Sequence, residues 1–338
     1  MEISRRRFLL AGLAAVSVGL SGYAVYRMGK YVQPMESPKM SEVYITEASD
    51  RVSGIRRLME RFDSASFKGA RVSLKANFNN ADPFPASTHL ESLQAIVEGL
   101  KSAGSGEVVL AERSGMGNTR RVLEDRGVFK LAGNLGFKAV VLDEVPSEGW
   151  TEIGPDGLHW LRGFKIPKIF TEADKVVQTC CLKTHRFGGH FTMSLKNSVG
   201  LVAKRDPAGV YDYMAELHTS PFQRLMIAEI NRFYQVDMII MDAREGFTKG
   251  GPEQGELVKP NLMLASRDRV AIDAVGVAIL RSYGTTPQVM DGKIFELEQI
   301  HRAAELGVGV NSSSNIRLVP LDRESEKVSE TIHRILTT

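Results

Sequence analysis

The run Leu182-Lys183-Thr184-His185-Arg186 sets an ammonium and an imidazole two residues apart, which in an extended chain turns both to one side and Thr184 to the other. Lys183 there is a point charge for an anionic group, and His185 a donor or general acid/base. Thr192-Met-Ser-Leu-Lys196-Asn197-Ser-Val-Gly200 reads as a helix start carrying a second basic residue. A helix N-terminus offers free N–H groups and a positive dipole end, suited to phosphate or carboxylate, and Lys196 adds to that field. Lys75-Ala-Asn77 supplies a third lysine, and Asp242 a carboxylate that can orient the histidine or hold a metal. Gly250-Gly251-Pro252-Glu253-Gln254-Gly255 lets backbone approach a ligand closely.

Each feature has a plainer structural alternative: a solvated lysine at a strand end, a hydrogen-bonded histidine, a glycine-rich surface turn. Several familiar chemistries are missing from the sequence. Neither G-x-x-x-x-G-K-[ST] nor G-x-G-x-x-G occurs, so no nucleotide fingerprint is present, and there is no G-x-S-x-G elbow and no C-x-x-C. His185 and His190 are five residues apart across Gly188-Gly189, unlike the i, i+4 pair of H-E-x-x-H, and no third ligand stands nearby, so no metal site is assigned to them.

The elements that must position these residues follow an α/β alternation, with short apolar runs between longer amphipathic ones. Predicted strands cover 71–78, 107–112, 139–143, 175–182, 236–242 and 261–265. Thr88 and Glu91 form a capping box ahead of the Leu90, Leu93, Ile96, Val97, Leu100 stripe, which Gly104 closes; Asn118 or Thr119 caps the next helix. Helices are predicted over 222–234 and 269–283, the latter behind Asp268 as N-cap. The expected fold is a mainly parallel sheet flanked by helices in Rossmann-like layers. Residues 144–167 and 202–221 break the alternation and read as insertions over one edge. Because ligands bind beyond the carboxyl ends of strands in such sheets, the lysines, histidines and glycines above converge on one edge.

The ends bear on location. Ser4-Arg5-Arg6-Arg7-Phe8-Leu9-Leu10 resembles the twin-arginine motif S-R-R-x-F-L-K except at Leu10, and an uncharged stretch runs from Phe8 to Tyr26. This is the layout of an export signal, so the twin-arginine translocase is an expected partner, and the rest of the chain is expected in the periplasm or on the outer face of the cytoplasmic membrane. No A-x-A box follows, and roughly 20 apolar residues suffice to span a bilayer, so residues 8–26 read equally as a retained membrane anchor and a removed leader. The expected layout is a signal or anchor over 1–30, a linker over 31–42 and one α/β domain over 43–338.

The whole chain has 43 Lys and Arg against 40 Asp and Glu; without Arg5, Arg6, Arg7, Arg27, Lys30 and Glu2, 38 stand against 39. A near-neutral domain argues against nucleic acid as partner. Cys180 and Cys181, adjacent in an apolar run, point to opposite faces of a strand and read as buried hydrophobes, not as a disulfide.

Taken in order, Lys75-Ala-Asn77, Lys183-Thr184-His185, Leu195-Lys196-Asn197 with Gly200, Asp242, Gly251-Pro252 with Gly255, and Asp268-Arg-Val-Ala271-Ile-Asp273 resemble the domain of unknown function 362 (DUF362) family over roughly residues 43–310. Some members carry appended ferredoxin-like cysteine clusters. This chain has no such motif, so no iron–sulfur cofactor is expected.

The leading expectation is an exported enzyme acting on a small anionic substrate. Lys183, His185 and Asp242 are its expected catalytic residues; Lys75, Asn77, Lys196, Asn197, Gly200, Gly251 and Gly255 are expected to bind the ligand or a cofactor. Two other classes fit the same residues: a membrane-tethered protein that binds an anion or metal without turnover, and a cofactor-loaded redox or maturation protein.

Overall fold

The structure, a computed structural model, describes residues 34–115 and 117–338. The expected export segment therefore lies outside the described residues. Among these, no helix is long and apolar enough to cross a membrane.

The strands are β1 (Ser41–Glu47), β2 (Arg71–Lys75), β3 (Glu107–Glu112), β4 (Lys138–Val141), β5 (Trp150–Ile153), β6 (Phe164–Pro167), β7 (Lys175–His185), β8 (His190–Phe191), β9 (Met238–Gly250), β10 (Gly255–Val258), β11 (Leu262–Ser266) and β12 (Ile316–Pro320). The main helices are α1 (Arg51–Met59), α2 (Leu90–Ser102), α3 (Thr119–Asp125), α4 (Val128–Leu135), α5 (Tyr213–Thr219), α6 (Gln223–Ile230), α7 (Arg269–Ser282), α8 (Glu298–Glu305) and α9 (Arg323–Thr337). One sheet runs β12-β1-β11-β9-β7-β2-β3-β4, with β10 paired to β9 and β8 to β7, while β5 and β6 form a separate hairpin. Along the main path every pairing is parallel except the two that β11 makes with β1 and β9. The fold is α/β with a mainly parallel sheet, as expected.

Both faces of the sheet are covered, which is why its central strands read as apolar runs. Alternation along β9 separates the two layers: Ile239 and Met241 join one apolar cluster with α7, while Met238 and Ile240 join another with α1 and α2. Helix α7 is buried from Arg269 to Leu280 at every position, as suits a core helix that is apolar on every face apart from Arg269 and Asp273. Asp268 caps it, accepting from the amides of Val270 at 2.8 Å and Ala271 at 2.9 Å. The two irregular stretches contribute Trp150, Trp160, Phe164, Tyr213 and Met214 to a third cluster.

Local readings differ in several places, two of which bear on the loop and strand ends around the crevice. The N-cap of α2 is His89, whose Nδ1 accepts from Glu91 N, not Thr88. Thr88 Oγ1 is engaged by the amide of Asn77 at 2.8 Å, so the loop after β2 claims the residue that would otherwise cap. Strand β7 also runs three residues beyond Leu182, through Lys183 and His185, because β8 and the far half of β9 continue to pair with it.

The order of strands matters most for function. From β2 the chain crosses to β3 and then β4 on one side, whereas β7 and β9 lie on the other. The direction of winding reverses between β2 and β7, and at such a switch point the connections diverge and leave a crevice beyond the carboxyl ends. Lys75 ends β2, and Lys183 and His185 end β7.

Candidate functional site

At that crevice lies a cavity of about 990 Å³, a size suited to a small molecule. Lys75, Asn77, Lys183, His185, Lys196, Asn197 and Gly200 all line it, so the structure brings seven of the ten expected site residues together.

Two of the three lysines have all their hydrogens committed. Lys75 is 1 % exposed, and its Nζ donates to Glu112 Oε2 at 2.8 Å, to Ala76 O at 2.6 Å and to Asn197 Oδ1 at 3.2 Å. Glu112 is wholly buried at the end of β3. Burial pushes the Lys75 pKa down and the Glu112 pKa up, and each opposes the shift in the other. Lys183 Nζ donates to Asn77 Oδ1 at 2.7 Å, Pro85 O at 2.9 Å and Ala86 O at 2.5 Å. No carboxylate pairs with it among the described residues, and desolvation lowers its pKa. Asn197 links the two lysines: its Oδ1 also accepts from Asn77 Nδ2 at 3.4 Å, and its Nδ2 donates to Thr179 O at 3.0 Å. The chain Glu112, Lys75, Asn197, Asn77, Lys183 thus crosses three strands, and its satisfied bonds fix the cavity floor. Gly200 is required here, since a Cβ would lie 2.8 Å from Lys75 Cε.

Lys196 is different. It is half-buried and makes no hydrogen bond or ion pair among the described residues. Burial, then the positive charges of Lys183 and Arg113, bring its pKa down to about 7. Its stem lies against Gly189, where a Cβ would stand 2.6 Å from Lys196 Cε and 3.2 Å from His185 Nδ1. His185 is 7 % exposed, and its Nδ1 is buried without a hydrogen-bond partner. Desolvation, followed by the charge of Lys196, drives the His185 pKa well below the ordinary histidine value, so the ring is neutral.

Arg113, one residue beyond β3, completes the cationic wall. Its Nη1 donates to Ser114 O at 3.0 Å and its Nη2 to Val199 O, while Nε has no partner. Burial lowers its pKa to about 10, and no carboxylate forms an ion pair with it among the described residues. Arg113 was not singled out from sequence; its place directly after the strand-ending Glu112 was the available signal. Phe187, 52 % exposed, also lines the cavity. The irregular segment after residue 202 contributes Met214, His218, Ser220 and Pro221 to the lining.

Three expected residues lie outside the lining. Asp242 is buried in mid-sheet, where its Oδ2 accepts from Arg51 Nε at 2.8 Å and Ser92 Oγ at 2.7 Å. Gly251 packs against the Thr184 carbonyl, so that only Pro252 and Glu253 of its turn reach the cavity. Gly255 pairs with Gly250 in the β9–β10 hairpin. The expected ligand-binding helix N-terminus is a further correction. The amides of Ser194 and Leu195 donate to Asp273 Oδ1 at 2.7 Å and Oδ2 at 2.9 Å, so a carboxylate from α7 already occupies that end. Asp273 holds the short helix Ser194–Asn197 that carries Lys196 and Asn197. His185 and His190 face one another across β7 and β8, and among the described residues no three His, Cys, Asp or Glu side chains group as metal ligands. Cys180 and Cys181 are buried free thiols, with the Cys181 pKa pushed up to about 11 by burial.

Residues 72–278, which include the cavity's three lysines, match the family described as Domain of unknown function (DUF362). The chain belongs to the DUF362 family. No curated protein matches it. Among solved structures it is similar to the lactate racemase apoprotein from Thermoanaerobacterium thermosaccharolyticum, at 17 % identity and a TM-score of 0.39. That alignment covers 65 % of this chain and 54 % of the racemase chain, so this DUF362 protein spans about half the racemase's length.

Proposed function

We propose that this DUF362 protein is an enzyme for a small anionic substrate, bound in the switch-point cavity with its charge against Lys196 and Arg113. The observation that supports this reading is the accumulation of Arg113, Lys183 and Lys196 around one cavity with no carboxylate among the described residues paired to any of them. Like charges ~8 Å apart repel by about 2 kcal/mol at an effective dielectric near 20. An arrangement that costs stability in this way is offset when an anion binds. Lys183 acts through its field, because its three hydrogens are committed to protein acceptors. Lys196 makes the direct contact, the buried guanidinium of Arg113 adds its charge from the wall, and neutral His185 is the proton carrier.

Thermal unfolding with a panel of carboxylates and phosphates tests the reading. A bound anion at 100 times its Kd stabilises by about 2.7 kcal/mol, a rise of roughly 4 °C in a domain of this size. The rise is expected to vanish in Lys196→Met. Equal shifts from sodium chloride at matched ionic strength would sink the proposal. A panel member that binds and is never consumed would make the site that of a binding protein.

The site of action is proposed to be across the cytoplasmic membrane, on the support of Ser4-Arg5-Arg6-Arg7-Phe8. Replacing Arg5 and Arg6 together by lysine is expected to leave the protein in the cytoplasm on fractionation; unchanged export through another route would overturn the twin-arginine assignment.

A further inference from the structure

The three lysines of the cavity do not have the same freedom, and the difference selects a chemistry. Lys75 and Lys183 each donate to three protein acceptors, so neither nitrogen has a free lone pair to offer or a hydrogen to spare. Lys196 lines the same cavity with an uncommitted amine. Beside it, the space that a side chain at Gly189 would take is filled by the Lys196 stem, and the orphaned Nδ1 of His185 lies 3.2 Å from that same Cβ point, so the absent side chain lets the two groups lie side by side. An unbonded amine, an adjacent neutral imidazole and cationic walls are the parts needed for covalent capture of a carbonyl group.

We propose that Lys196 is a nucleophile that forms an imine with an aldehyde or ketone bearing an anionic group, with His185 as its proton carrier. This rests on the anion-binding reading of the same cavity and names the substrate class within it. The unprotonated Nζ adds to the carbonyl carbon, forming the C–N bond as the carbonyl oxygen takes up a proton. The carbinolamine then loses that oxygen as water, the nitrogen gives up a proton, and a C=N bond remains. Amine plus carbonyl gives imine plus water, with no oxidant or reductant required. His185 accepts the proton from nitrogen and returns it to the departing hydroxyl. The substrate's carboxylate or phosphate meets Arg113 and the field of Lys183.

The charged and titratable groups around Lys196 favour the free amine. Lys183 on β7 and Arg113 after β3 lower its pKa, His185 on β7 and His218 on α5 lie within its field, and the two carboxylates that line the cavity are paired elsewhere, Glu112 with Lys75 and Glu253 with Arg186. With its pKa at about 7, Lys196 is about half unprotonated at neutral pH, where an ordinary lysine is unprotonated in on the order of one molecule in a few thousand.

The test uses the purified full chain with pyruvate, glyoxylate and pyridoxal 5′-phosphate as separate probes, each trapped by sodium borohydride at pH 7 and read by intact mass and peptide mapping. One adduct at Lys196 is expected, formed on the order of a hundredfold faster than at surface lysines, with a rate that rises with pH and levels off above about 7. Lys196→Arg, which keeps the charge, is expected to lose the adduct and retain the fold by circular dichroism. His185→Asn is expected to form the same adduct more slowly. Labelling scattered over surface lysines and unchanged in Lys196→Arg, or no adduct with any of the three probes, overturns the imine. In either of those outcomes a persisting anion-induced rise in Tm leaves the anion-binding reading standing; its disappearance removes both.

Discussion

Two buried polar regions sit within the same sheet and behave oppositely. Around Asp242 on β9, the carboxylate is matched by Arg51 and Ser92, and the region opens onto no part of the switch-point cavity. Around Lys196, cations without a carboxylate partner among the described residues gather beside a cavity, and an amine and a ring nitrogen are left unbonded. Burial and polarity are common to both, so neither marks a functional site by itself. What separates them is whether the protein satisfies its own groups. A matched buried pair is a structural connection between elements, here α1, α2 and β9, whereas an unmatched one holds its stabilisation in reserve for a ligand.

The largest expected effect falls on the matched side. Asp242→Ala strands the guanidinium of Arg51, 6 % exposed, whose other partner is the solvent-facing Glu91 at 3.5 Å. Removing one member of a buried ion pair destabilises by about 3–5 kcal/mol. Urea unfolding is expected to show a loss of that size, while anion affinity, measured on the remaining folded protein, stays within a factor of two or so. Intact stability with abolished anion binding would reverse the comparison and return Asp242 to the site.

Lys196→Met probes the other side and inverts the pattern. The amine has no bonds to lose, and removing a like charge beside Lys183 and Arg113 relieves repulsion. Stability is expected to be unchanged or to rise by about 1 kcal/mol, whereas affinity for a carboxylate or phosphate ligand falls on the order of a hundredfold, the effect of losing a charge-assisted contact. Calorimetry and urea unfolding on the same sample separate the two. A loss of stability as large as that of Asp242→Ala would show that Lys196 is a structural lysine.

This contrast also explains what could be read from sequence. The strands that carry Lys75 and Lys183 are marked by short apolar stretches, Val72 and Leu74 in one and Val176, Val177 and Cys180 to Leu182 in the other, and the rule that ligands gather beyond strand ends then places the cavity. Lys183 and His185 share a face because extended chain alternates, which needs no tertiary information. Asp242 defeated the same logic. It stands at the end of the predicted strand, but β9 continues to Gly250, so the carboxylate lies in mid-strand with its partner Arg51 donated by a helix 191 residues away in sequence. The helix start before Lys196 misled for a similar reason: its amides are free only until Asp273 arrives from α7. Satisfaction is a property of three-dimensional neighbours, and periodicity within one segment does not report it. Strands β1 and β12 were missed because polar residues interrupt them, Ser41, Glu42, Thr46 and Glu47 in one and Arg317 in the other, so neither shows an apolar run.

Asp273 gives the smallest expected effect and the finest test, because it joins the two categories: a fully buried carboxylate that is bonded, yet only to neutral amides. Desolvation outweighs those two bonds and raises its pKa to about 7 from an ordinary 3.8. The sign follows from proton counting. Between those values the unfolded chain has released the proton and the folded one retains it, so stability contributed by this group is complete below pH 3.8 and is lost as pH rises through 7. Asparagine does not titrate and can accept only one of the two N–H bonds. Asp273→Asn is therefore expected to be less stable than the native chain by about 1–2 kcal/mol at pH 4.5, with the gap narrowing by pH 8. Taking the difference between the two proteins cancels every other titrating group. A gap that widens with pH instead would mean that the carboxylate is ionised in the fold and that its two amide bonds outweigh burial. In that case the short helix carrying Lys196 would be held by a full negative charge at its N-terminus.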